Sequence, residues 1–333
     1  MRKLLILSCL FFNTFFYLYS ATAVWKCQDY DLRVFYTNET NPGDAIFIRM
    51  IFSPKGIYKK ELKSSKGIVE FYSNNDPHKK ISESIFFLSN NSSKKFKKMD
   101  ILIAGIPLST YQKNGDYTAK IVFSAFNRIY ETFSLPIKIN SKNFIKEVIE
   151  LDTKNTAIKT DSSKQRYNQI NTLNSILETT NHDSTFQTDA FICPTTSKRI
   201  TSFFGDRRIY SYSNGKSSTS LHHGIDYGIP TGTEVKACGT GKVVMAENRV
   251  STGWSICIEH LPGLYSLYYH LDKLNVKIGQ VVKKEELIGM SGATGLATGP
   301  HLHWEVRLNT VAVNPDFFTT DFTFQQEQEN LLR

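Results

Sequence analysis

Six of the eight histidines lie between His222 and His303. Imidazole is the commonest metal-binding side chain, so a distribution this uneven asks for a chemical reason. In Leu221-His222-His223-Gly224-Ile225-Asp226-Tyr227, His222 and Asp226 stand four positions apart, and an extended segment presents such positions on one face. Gly224 between them lets backbone approach closely. His303 follows His301 in Gly299-Pro300-His301-Leu302-His303-Trp304-Glu305-Val306, which reads as a strand opened by a proline that has no ladder N–H to donate. His222, Asp226 and His303 make three protein ligands and leave a fourth position for water, the arrangement of catalytic rather than structural zinc. Such water ionises near pH ~7, and the cation polarises a scissile carbonyl.

Two further histidines could act on that water. His301 shares a strand face with His303 and is the candidate general base. His270 ends the run Leu267-Tyr268-Tyr269-His270 and could steady an oxyanion or protonate a leaving amine. His223 should point away from its neighbour His222 and reads as a bystander. His260, ahead of Leu261-Pro262-Gly263, reads as a turn residue.

Other chemistries fail on their spacing. Gly289-Met290-Ser291-Gly292-Ala293 lacks the second glycine of a nucleophile elbow. Asn214-Gly215-Lys216-Ser217 resembles the end of a phosphate loop, but Tyr210 stands where the first glycine belongs. No His-Glu-x-x-His or Cys-x-x-Cys occurs.

The elements that must position these groups are mostly strands. From Val24 to Asn140, Ala45–Phe52 follows the turn signal Asn41-Pro42-Gly43-Asp44. Tyr117, Ala119, Ile121 and Phe123 alternate after a hairpin signal at Asn114-Gly115, and Phe133, Leu135, Ile137 and Ile139 alternate again. The pattern predicts an immunoglobulin-like β-sandwich over residues 24–140. Residues 141–190 turn polar, and Tyr167, Ile170, Leu173, Ile176 and Leu177 recur at helical spacing within them. Ser162 with Gln165 makes a capping box, so a linker with one amphipathic helix is expected. Short strands resume over 191–318, with a polar loop from Tyr210 to Ser220, and a polar tail occupies 319–333.

At 333 residues, 41% hydrophobic and 13% aromatic, the chain can build two cores. A net charge of +9 favours polyanions without choosing among nucleic acid, anionic lipid and wall polymer, and nothing beyond charge points to nucleic-acid readout. The lysine knot Lys94-Lys95-Phe96-Lys97-Lys98 reads as a solvated loop. Met1-Arg2-Lys3, an apolar stretch from Leu4 to Leu18 and Ala21-Thr22-Ala23 form an export signal over residues 1–23, the alternative being an uncleaved membrane anchor. Cys27, Cys193, Cys238 and Cys257 remain after it, and four cysteines allow three pairings. Cys238 with Cys257, in neighbouring expected strands, is the slightly favoured pair, and buried free thiols stand beside it as an equal alternative.

These motifs in combination resemble the lysostaphin/LytM-type zinc metallopeptidases of peptidase family M23. The resemblance rests on His222-x-Gly224-x-Asp226, Tyr269-His270-Leu271 and Thr298-Gly299-Pro300-His301-Leu302-His303. It extends through Ile200-Thr201-Ser202, Phe204-Gly205, Arg207-Arg208 and Asn314-Pro315, covering roughly Pro194 to Phe318. It implies a small antiparallel β fold holding one Zn2+ on His222, Asp226 and His303, with His270 and His301 as catalytic histidines. The implied substrate is peptidoglycan, cut at amide bonds of cross-links or stem peptides. The implied setting is the periplasm or cell wall, with secretion also possible. All five positions are filled, which argues against the runner-up, a non-catalytic wall-binding protein that activates a peptidoglycan amidase. A tyrosine assists the oxyanion in some members, so Tyr210 and Tyr212 are candidates here. The long connection also raises the expectation that the linker or the N-terminal domain shields the groove until moved or cut.

Overall fold

Apolar–polar alternation lays down the first half of the chain as strands, seen in a computed structural model that describes residues 20–56, 64–89, 99–127, 129–181, 184–187 and 189–320. The export signal up to Tyr19, the Lys94–Lys98 knot and the tail from Asp321 lie outside the described residues. The chain opens with β1 (Ser20–Lys26), β2 (Tyr30–Thr37), β3 (Glu39–Thr40), β4 (Ala45–Pro54) and β5 (Lys66–Ser73). It continues with β6 (Asp76–Ile85), β7 (Phe87–Leu88), β8 (Asp100–Pro107), β9 (Gly115–Ala125) and β10 (Ile129–Ile139). Two five-stranded sheets result, ordered β1-β2-β4-β8-β7 and β3-β10-β9-β5-β6. Ile46, Ile48, Met50 and Phe52 of one sheet share a core with Phe71, Ala119, Ile121 and Ile137 of the other. In β1, Ser20–Ala23 pair with Val34–Thr37, so cleavage after Ala23 would shorten that strand. Asn114-Gly115 proves to be no hairpin: β8 and β9 belong to different sheets, and the turn carries the chain from one to the other.

The apolar run of β4 has a simple cause: both of its faces are covered. The odd positions Ala45, Phe47 and Ile51 turn away from the sandwich core and join a second one with Phe204, Leu308, Phe317 and Phe318 of the C-terminal half. Polar contacts frame this junction: Arg207 Nη1 donates to Thr110 Oγ1 at 3.1 Å, and Asn314 Nδ2 to Asp44 Oδ1 at 3.0 Å.

The linker holds more structure than one helix. β11 (Lys146–Glu150) precedes α1 (Thr153–Thr160) and α2 (Lys164–Glu178). Asp152 caps α1 by accepting from the Asn155 N–H at 2.7 Å, and Ser163, not Ser162, caps α2 through the Arg166 N–H at 3.2 Å. The Asp161 carboxylate accepts from the Ser163 N–H at 2.7 Å and stabilises the extended break between the helices.

The C-terminal half begins with β12 (Ile200–Ser202), β13 (Arg207–Ser211), β14 (Ser217–Leu221), β15 (Gly224–Tyr227) and β16 (Glu234–Lys236). Next come β17 (Gly241–Arg249), β18 (Gly253–Leu261), β19 (Leu264–Leu274) and β20 (Val281–Val282). β21 (Leu287–Ser291), β22 (Leu302–Leu308), β23 (Val311–Val313) and α3 (Pro315–Thr320) complete it. A large, mostly antiparallel sheet runs β12-β15-β22-β19-β18-β17-β20. The expected loop at Tyr210–Ser220 is instead the β13–β14 hairpin, with β11 added in parallel along β13.

Strand alternation corrects two further expectations. Cys257 faces Met245, Leu267 and Tyr269, whereas Cys238 sits with Ile256 and Ile258 on the opposite side of the sheet. Both thiols are free, because the sheet itself separates them. His260 is no turn residue: it lies in β18, fully buried, with one ring nitrogen on the Thr240 carbonyl at 2.8 Å and the other at Ser266 Oγ, 2.7 Å away. Among the described residues no helix is long and apolar enough to cross a membrane.

Candidate metal centre

Register brings the candidate ligands together. β15 pairs with β22 so that Asp226 stands opposite His303, and residues so paired project to the same face. Gly224, opposite Glu305, makes that pairing possible. A Cβ there would lie 2.3 Å from the Trp304 carbonyl oxygen and 2.8 Å from His303 Nε2. His222 precedes β15 and is held at both backbone groups, its N–H on the Asp206 carbonyl at 2.9 Å and its carbonyl accepting from Gly205 at 2.8 Å. β19 flanks β22 with Tyr269 opposite His303, their rings stacked at 5.2 Å. His270 does not end its strand. It sits within β19 at φ 61, where the pairing with β18 slips, and this strained left-handed residue re-aims its ring toward the site.

The three polar tips converge closely. Asp226 Oδ1 lies 3.1 Å from His222 Nε2 and 2.8 Å from His303 Nδ1, and the two imidazole nitrogens are 3.0 Å apart. Each histidine is also fixed from behind. His222 Nδ1 donates to the Phe203 carbonyl at 2.8 Å, and His303 Nε2 to Glu305 Oε2 at 3.2 Å. Since those partners can only accept, the nitrogens turned inward carry lone pairs when the rings are neutral. Three lone-pair donors, all within 4.8 Å of one another, repel unless a cation or a proton sits among them. The donor set therefore fits a divalent metal of borderline softness, with His222, Asp226 and His303 as its holders.

His301 Nε2 is 3.9 Å from Asp226 Oδ1, and its Nδ1 is fixed on the Gly299 carbonyl at 2.8 Å. His270 Nδ1 donates to the Thr294 carbonyl at 2.7 Å, and the His270 and His301 rings lie 4.6 Å apart. All five residues expected at the site thus surround one point. His223 is exposed and receives Arg307 Nη2 at 3.1 Å, outside the cluster. Tyr212 hydrogen-bonds Ser218, and Tyr210 is buried beneath Lys159, whose Nζ stands 4.1 Å from the ring centroid.

Electrostatics in the metal-free chain follow from burial and the carboxylates. Burial lowers the proton affinity of His303, but hydrogen bonds to Asp226 and Glu305 more than reverse this and raise its pKa to about 9. For Asp226 burial acts upward, and the charge and hydrogen bond of His222, with those of His303, hold it well below the usual carboxylate range. Burial pushes His222 down. Burial, with the neighbouring His301 and His303, pushes His270 down to about 3. His270 is therefore a neutral ring with a free acceptor.

Sequence reasoning missed the outer supports. Arg208 on β13 donates to Asp226 Oδ2 at 2.7 Å and to Glu147 Oε1 at 2.6 Å. Glu147 also accepts from Ser202 Oγ at 2.7 Å, so the linker strand β11 contributes to the centre. Glu305, anchored by Arg307, was legible as the position two beyond His303 on the same strand face. Nothing local marks Glu147.

Residues 220–315 match the model of peptidase family M23. Over 117 residues the chain is 40% identical to an "uncharacterized metalloprotease" of Buchnera aphidicola, covering 35% of this chain and 30% of that one. Over 116 residues it is 40% identical to the peptidoglycan DD-endopeptidase ShyA of Vibrio cholerae, covering 35% of this chain and 26% of that one. The matched stretch thus spans less than a third of either relative. A crystal structure from Pseudomonas aeruginosa assigned to peptidase M23 superposes with a TM-score of 0.51 at 20% identity, over 80% of this chain and 100% of that one. This last likeness is one of fold. With the domain match and the converging ligand set taken together, residues 220–315 form a peptidase family M23 domain.

Proposed function

We propose that the protein is a zinc-dependent endopeptidase that hydrolyses amide bonds in peptidoglycan cross-links or stem peptides. The observation that carries this reading is the set of three inward lone pairs on His222, Asp226 and His303, flanked by two further histidines whose Nδ1 atoms are already committed to carbonyls. The named activity of ShyA supports the choice of substrate. When bound, zinc supplies Lewis acidity toward the scissile carbonyl and lowers the pKa of water.

In this reading the chain's own groups manage protons and orientation. Arg208 turns Asp226 so that Oδ1 faces the two ligand histidines. His301 Nε2 accepts a proton from the attacking water, its ring already oriented by Gly299. His270 also enters as an acceptor. It can donate to an oxyanion or return a proton to the leaving amine only after taking one up, which its neighbour at 4.6 Å can supply.

The proposed division is an export signal over 1–23, a sandwich domain over 24–140, a linker over 141–190 and the peptidase domain over 191–318, acting in the cell envelope. Digestion of purified peptidoglycan by the full chain, with products identified by mass, tests the activity. Chelator-sensitive release of cleaved peptides that is lost in His301→Ala is expected. Release that survives both treatments would refute the mechanism, and no release together with stimulation of an amidase would favour the activator.

A further inference from the structure

Alternation along β11 runs against burial. Lys146, Val148 and Glu150 face outward, and Val148 is 64% exposed, whereas the Glu147 side chain turns in and is 27% exposed. Burial alone would choose the opposite register, with the β-branched residue inside and the carboxylate in water. A local rule broken in this way marks a position held for another purpose.

Register supplies the purpose. β11 pairs in parallel with β13 so that Glu147 stands opposite Arg208, and its Oε1 accepts from Arg208 Nε at 2.6 Å. The adjacent Nη2 donates to Asp226 Oδ2 at 2.7 Å. A guanidinium edge that commonly clasps one carboxylate is thus divided between two. Ser202, opposite Asp226 in the β12–β15 pairing, donates to Glu147 Oε1 at 2.7 Å and lies 3.4 Å from Asp206 Oδ2. The same Asp206 oxygen accepts from the Phe203 N–H at 2.8 Å. The carbonyls of Phe203 and Asp206 in turn hold His222 Nδ1 and the His222 N–H, at 2.8 and 2.9 Å. One linker carboxylate therefore touches the supports of two candidate ligands, Asp226 and His222.

We propose that Glu147 is a positioning residue for the metal centre: by sharing Arg208 it keeps Asp226 a strong ligand. Zinc affinity then depends on a residue outside the matched stretch 220–315. The proposal rests on the zinc assignment above but not on peptidoglycan as the substrate. With a neutral side chain at 147, the whole guanidinium charge would fall on Asp226 and compete with the cation for its electrons. The Arg208 edge, no longer drawn from both sides, would also lose its aim.

Zinc affinity of the full chain, read by competition with a chromophoric chelator, tests it. Glu147→Gln keeps the side-chain size and removes the charge, and affinity should fall about tenfold, the low end for losing an outer partner of a metal ligand. Glu150→Gln, the same change on the outward face of β11, should bind as wild type does. In an Arg208→Gln background, Glu147→Gln should change affinity by less than about threefold, because the group it acts through is gone. His222→Ala gives the affinity of a chain without the centre. Unchanged affinity in Glu147→Gln would overturn the proposal, whatever the variant's stability. An equal loss in both backgrounds would overturn it too, since the charge would then act directly and not through Arg208. Wild type that binds zinc no tighter than His222→Ala would sink the zinc assignment, and the positioning role with it.

Discussion

His303 makes the metal-free protein a proton trap, and pH exposes it. Its ring is held by Asp226 Oδ1 at 2.8 Å and Glu305 Oε2 at 3.2 Å, with 10% of the side chain exposed. These carboxylates raise its pKa from 6.5 to about 9. Between those values the folded state holds a proton that the unfolded state has lost. Stability must therefore be fully present below pH 6.5 and fall as pH rises to 9. At 1.36 kcal/mol per unit the loss is on the order of 3 kcal/mol. His222 and His270 do not interfere, because both are shifted downward and act below pH 6.5. Urea unfolding of chelator-treated protein from pH 6.5 to 9, at fixed ionic strength, measures the slope, and His303→Asn should flatten it. A zinc ion held by His222, Asp226 and His303, as proposed, would take the proton's place, so its affinity should rise up to tenfold per pH unit in the same window. Stability that stays within about 1 kcal/mol across the range, or a slope that survives in His303→Asn, would refute the reasoning.

Other expectations follow from the supports of the centre. Arg208→Ala leaves Asp226 and Glu147, with side-chain exposures of 9% and 27%, without their shared cation, and should cost the metal-free chain about 2–3 kcal/mol by urea unfolding, with Arg208→Lys recovering part. Gly224→Ala forces a methyl to 2.3 Å from the Trp304 carbonyl, and should destabilise the domain by about 1–3 kcal/mol and reduce bound zinc per chain, measured by metal analysis. His301→Ala should retain zinc yet lose peptidoglycan cleavage by at least about a hundredfold, whereas His222→Ala should lose zinc itself.

Much of this protein is encoded at short range, and that part could be read directly. Period-two alternation marked β9 and β10, and spacing grouped His222 with Asp226 and His301 with His303, because side-chain direction along a strand is a local property. Local reading fails where neighbours in space are distant in sequence. His303 meets Asp226 across 77 positions and Arg208 meets Glu147 across 61, so only strand register could show that linker and domain complete one centre. The continuous apolar run of β4 implies cover on both faces, but only the tertiary structure put the second core, from the C-terminal half, against the outer one. Cys238 and Cys257 fail in the same way: Cys238 falls beyond β16, which pairs with β21 and not with β18, and the side of the sheet each thiol faces was decided by folding. The linker shows the limit best. Its helical spacing was visible at Tyr167–Leu177, but the break after Thr160 and the sheet face that α2 covers arise from capping and long-range contacts that no local pattern carries.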